Sequence, residues 1–173
     1  MRDIQKLAKY VGLSLLVKDM SVSPLKLQKI LYYLQSWYMV FFGRENTLMA
    51  DVPEAWVNGP VYPPVYYAYK DKVPGMCDHL TPSDFGYASA IDGLKEVSEQ
   101  LSFTDEEQEL IDSIILLYGA KSQNELIFYT HAEQPWVEQR LGLKPFERSD
   151  KKLSLDTMYH YYKERHEKNL AKA

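Results

Sequence analysis

Only one cysteine, Cys77, occurs among the 173 residues. It allows no disulfide within the chain, and no Cys-rich metal spacing exists. A lone thiol suits a reducing compartment, so the cytoplasm is the expected location. No apolar run approaches the ~18 residues of a membrane-spanning helix, so membrane insertion is not expected. The opening "MRDIQKLAKYVGLSLLVKDM" is interrupted by Asp3, Lys6 and Lys9, and reads as an amphipathic segment instead of a signal peptide. The eight glycines are scattered and form no phosphate-cradling loop. Excess positive charge is also missing. A formal charge of -4 argues against a partner held through phosphate contacts, so nucleic acid is not the expected ligand.

Histidine is sparse: His79, His131, His160 and His166. No two of them sit at metal-ligand spacing, so neither a metal nor an organic cofactor is expected. Cys77 lies two residues from His79, but closeness along the chain does not make a catalytic dyad. In "THAEQPW", His131 and Glu133 precede a Pro-Trp helix start, and no nucleophile motif accompanies them. The plainer reading gives His131 the task of tying down a helix C-terminus. An enzyme is therefore not expected.

What remains is a chain of one domain's length, rich in tyrosine, with 14 of them. Helical spacing of Ile4, Leu7, Ala8, Val11 and Leu15 predicts a first helix over about 3–17. Ser23-Pro24 is an N-cap followed by proline at the first helical position, and opens a second helix running to about Phe42. "TDEE" at 104–107 and "SQNE" at 122–125 are capping boxes ahead of apolar segments. Pro135 stops the second of these, and Ser154 caps a last helix. Between 47 and 61 prolines and Gly59 forbid a helix. There "EAWVN" reads as a short strand, paired with "TLMAD" in a small hairpin. Residues 73–87 read as a loop. The expected fold is mainly α: a compact helical domain with a long central helix and at most a small β-hairpin.

The second helix carries Leu27, Ile30, Leu31, Leu34, Tyr38 and Phe41 on one core stripe. Its remaining surface is nearly uncharged, which marks a helix buried on several sides. Its only charges, Lys26 and Lys29, stand in the first two turns, where the helix dipole opposes them. Something must compensate them. Lys26, close to the core stripe, is expected to be structural. Lys29 projects further out, and Tyr32 lies on the far side, so both are candidates to meet an acidic partner. In "EAWVNGPVYPPVYYAYK", Gly59-Pro60-Val61 forms a stiff turn leading to a helix that starts at Pro63-Pro64. Trp56 is expected to pack across it on Tyr66 or Tyr67. A competing reading makes Tyr62 and Tyr66 anchors for a partner.

Three blocks in order, "LKLQKILYYLQSWYMVFFGR", "PEAWVNGPVYPPVYYAYK" and "YTHAEQPWVEQR", resemble the Panacea antitoxin domain family, also called SocA-like. The positions that carry the resemblance are Leu25, Lys26, Leu27 and Gln28; Trp56, Gly59, Pro60 and Val61; and His131, Pro135 and Trp136. The resemblance implies a mainly helical, non-enzymatic, phage-associated antitoxin that binds a cognate protein toxin. The runner-up is a phage- or prophage-associated adaptor for a host protein.

Overall fold

The computed structural model describes residues 1–173. Asp3 caps α1 (Ile4–Val17), its side chain accepting from the Lys6 amide. Ser23 caps α2 (Pro24–Phe42) in the same way, with Pro24 at its first position and Gly43 closing it at φ +100°. A hairpin follows, β1 (Glu54–Trp56) and β2 (Gly59–Val61), then α3 (Pro63–Tyr69). After a 3-10 turn at Pro82–Phe85 come α4 (Ala90–Leu101), α5 (Asp105–Gly119), α6 (Gln123–His131), α7 (Gln134–Val137), a 3-10 turn at Glu138–Arg140, and α8 (Leu155–Lys172). The fold is mainly α, and both capping boxes form: Thr104 with Glu107 opens α5, and Ser122 with Glu125 opens α6.

α2 is the axis. Every residue from Pro24 to Met39 is buried, and α1, α3, α5, α6, α8 and β2 pack around it. An uncharged surface thus finds cover on all sides, as an all-round apolar helix requires. The exception is Phe41, assigned to the core stripe by spacing but 53% exposed near the helix end. α1 forms the second layer with α4 and α5. No helix is long and apolar enough to cross a membrane.

The expected hairpin pairing fails. "EAWVN" does not pair with "TLMAD". β1 pairs with β2 in antiparallel register, Trp56 opposite Gly59 and Ala55 opposite Pro60. Val57-Asn58 is the whole connection, and Gly59 closes it at φ +104°, a conformation that penalises any Cβ. Leu48 and Met49, within "TLMAD", instead bond to Gln35 of α2, and the Arg2 amide donates to Leu48 O at 2.7 Å. α4 is an element that no sequence pattern announced. It carries no strong apolar run, because only Gly93, Val97 and Leu101 are buried, one residue per turn. Gly93 lowers helix propensity, yet a Cβ there would sit 2.6 Å from the Tyr87 ring.

Candidate functional site

The three blocks meet at the hairpin. Pro60 has no amide to donate, so β2 cannot extend a sheet on its own terms. Side chains of α2 supply the missing pairing. Gln28 acts like a strand backbone: its Nε2 donates to Tyr62 O at 3.2 Å and its Oε1 accepts from the Tyr62 amide at 2.7 Å. Lys29 Nζ donates to Pro60 O at 3.0 Å. From the third block, Trp136 Nε1 donates to Trp56 O at 2.8 Å, and Arg140 Nη1 donates to Ala55 O at 2.9 Å. The outer edge of β1 pairs with the chain before α8, Ala55 N to Lys151 O and Leu153 N to Pro53 O, both 2.8 Å. No hairpin edge is left as a free template.

Several site expectations are corrected here. Lys29 and Tyr32, expected on an outer face, are fully buried, and so is Tyr62. Lys29 faces a backbone carbonyl instead of an outside acid. Burial lowers its ammonium to about 7. The Lys26 ammonium donates to Gly119 O at 2.6 Å, the carbonyl end of α5, so the charge that opposes one helix dipole complements another. Compensation comes from carbonyls, not carboxylates. Tyr66 is half-buried, its ring 4.8 Å from the half-buried Trp56, edge to face. Leu25, Leu27, Gly59, Pro60, Val61 and Pro135 are buried. His131 ends α6, but its ring stacks on Trp136 at 4.1 Å, and its buried Nε2 has no partner. Burial lowers its pKa, reinforced by the Lys29 charge, while a hydrogen bond with the Val57 backbone opposes the shift.

Sequence reasoning missed a second cluster. Glu133, only 2% exposed, sits where α7 meets α2 and α8. Tyr33 OH donates to its Oε1 at 3.3 Å, and Tyr162 OH donates to its Oε2. Arg165 Nη1 lies 3.7 Å away from Oε2. Burial drives this carboxyl up to about 7, while the Tyr162 bond, the Arg165 charge and the Tyr33 bond pull it back. Tyr33 also stacks on Tyr118 at 3.8 Å, and Trp37 Nε1 donates to Tyr118 OH at 2.9 Å. The available signal was "YHYYKER" in α8, an aromatic run with Arg165 one turn from Tyr161 and Tyr162. The cluster fastens α8 onto α2.

The motif residues therefore look inward. The other histidines and Cys77 are dispersed, and no three His, Cys, Asp or Glu side chains gather as a metal-ligand set. On the outer surface, the end of α2, α5 and α8 enclose an open groove of about 600 Å³. Phe41 and Leu117 stand at its mouth, about half exposed.

These features define a helical domain built on a central helix whose side chains grip a β-hairpin. A family model described as "Antitoxin SocA-like, Panacea domain" matches residues 27–137, and the chain belongs to that family. No curated protein and no solved structure matches it. The matched span contains both grips on the hairpin, Gln28 and Lys29 at one end and Trp136 at the other, while α1 and α8 lie outside it.

Proposed function

We propose that this protein is a cytoplasmic antitoxin that neutralises a toxin encoded beside it by binding the toxin protein directly, without bond chemistry of its own. Membership of the SocA-like antitoxin family carries this reading. The inward aim of the motif residues supports it. Gln28, Lys29, Trp136 and Arg140 are committed to hairpin backbone atoms, so the motif builds a scaffold and leaves recognition to the outer surface.

The test is co-expression of the chain with each gene adjacent to its own. One neighbour should arrest growth when expressed alone, lose that effect in the presence of this chain, and co-purify with it. If no neighbour is toxic while the chain binds a protein of the host, the adaptor reading replaces the antitoxin reading.

A further inference from the structure

The groove between α2, α5 and α8 has an apolar floor and one charged edge. Trp37, Phe41 and Phe42 come from α2, and Leu110, Ile114 and Leu117 from α5. Glu106 and Glu109, both exposed and one turn apart, form the α5 edge. His166 and Asn169 of α8 face them. Neither carboxylate is paired within the chain. The acid of that turn that is paired, Glu107, points inward to Arg2 at 2.6 Å and to Tyr38 at 2.5 Å. An apolar strip bordered by two free carboxylates fits the complementary arrangement: apolar anchors at i, i+3, i+4 and i+7, flanked by Lys or Arg.

We infer that this groove receives a basic amphipathic helix of the toxin. The inference rests on the antitoxin reading for the identity of the partner, and on the groove for its chemistry. Wide opening and the lack of converging buried polar groups separate it from a small-molecule pocket. The formal charge of -4 agrees with a cationic partner. Two walls lie inside the family-matched span and the third, α8, lies outside it. α8 is held in register by the contacts of Tyr162 and Arg165 with Glu133, which keeps His166 and Asn169 on the groove.

Two probes test this. The first is a synthetic peptide of about eighteen residues, leucines on one face and lysines on the other, long enough to form helix; its control carries glutamates for lysines. The lysine peptide should bind the intact protein in fluorescence anisotropy and the glutamate peptide should not. Leu117→Glu, and Glu106→Lys with Glu109→Lys, should each weaken binding by about tenfold or more. Ile91→Glu, on the exposed face of α4 and away from the groove, should stay within about twofold. Thermal melts should show all variants folded, since every altered side chain is at least half exposed or on the rim. The second probe is the toxin identified by co-expression, scored for growth rescue with the same variants. A lysine peptide that fails to bind, or that ignores Leu117→Glu, overturns the inference. So does full toxin rescue by both groove variants, which would leave the antitoxin reading intact. Peptide binding as expected with no toxic neighbour sinks the antitoxin reading and leaves the groove chemistry standing. A Leu117-dependent dimer in light scattering would assign the groove to a second copy and overturn the inference.

Discussion

At the scale of single residues, Gly59 shows how closely α2 approaches the hairpin. Its φ is +104°, and a Cβ there would stand 2.7 Å from Thr130 Oγ1 and 2.9 Å from Lys29 Cε and Nζ. Two costs therefore add in Gly59→Ala: a left-handed backbone and an overpacked contact. The variant is expected to lose roughly 2–4 kcal/mol in urea unfolding. Loss below about 0.5 kcal/mol would mean that Lys29 and Thr130 can move aside freely. Lys29 itself was misread from spacing because a charge is normally assigned to water, whereas Lys26 is buried as its place beside the core stripe predicts. Lys29 breaks that rule through an acceptor 31 residues away, a contact no local pattern encodes. Tyr32 is buried for a related reason: α8 covers its face, and the Tyr32 and Tyr162 rings lie 6.1 Å apart.

At the scale of elements, helix boundaries were legible because capping chemistry is local. Ser23-Pro24, Thr104–Glu107 and Ser122–Glu125 each carry their signal within four residues, and each forms the side-chain bond expected of it. Thr104→Ala should cost about 1 kcal/mol, read as a lower urea midpoint with unchanged helicity. Hairpin pairing was not legible. Gly59-Pro60-Val61 read as a stiff turn, and the side chains that hold its outer edge come from distant segments. The dependence on those side chains is itself measurable. Gln28→Ala would orphan the buried Tyr62 amide and leave the Tyr62 carbonyl to the Val65 and Tyr66 amides alone, and is expected to destabilise by about 1–3 kcal/mol. Gln28→Glu should fare no better, because a carboxylate can accept from the amide but cannot donate to the carbonyl. Equal stability of Gln28→Ala and the wild type would remove the clamp from the account of the fold. The candidate interface was the least legible part. Phe41 was assigned inward by its spacing, and the groove it borders needs α5 and α8 placed beside α2 before it exists.

For the whole molecule, two buried ionisable groups on either side of the 130–133 segment should shape stability against pH in opposite directions. Glu133 is raised from 4.5 to about 7 by burial, so the folded state holds a proton that the unfolded state releases between those values. Stability from this group is present below pH 4.5 and declines as pH climbs to about 7. Lys29 is lowered from 10.5 to about 7, so above 7 the unfolded chain holds the extra proton and stability rises with pH. Lys26, also lowered by burial, adds to this rise. His131, lowered below 6.5, opposes the Glu133 branch in part. Above about pH 10 the buried tyrosines reverse the trend, since they ionise only when unfolded. The melting temperature should therefore pass through a shallow minimum near neutrality, with each titrating group limited to about 1.4 kcal/mol per pH unit. Glu133→Gln keeps a neutral acceptor for Tyr33 and Tyr162 and should flatten or invert the acid branch. Lys29→Met keeps the apolar stem and should flatten the branch between pH 7 and 9, leaving only the Lys26 contribution. Melts at half-unit steps from pH 4.5 to 9.5 on the three proteins decide it. A wild-type profile that rises steadily through neutrality, or a minimum that survives both substitutions, would show that neither Glu133 nor Lys29 titrates in the folded state as its burial requires.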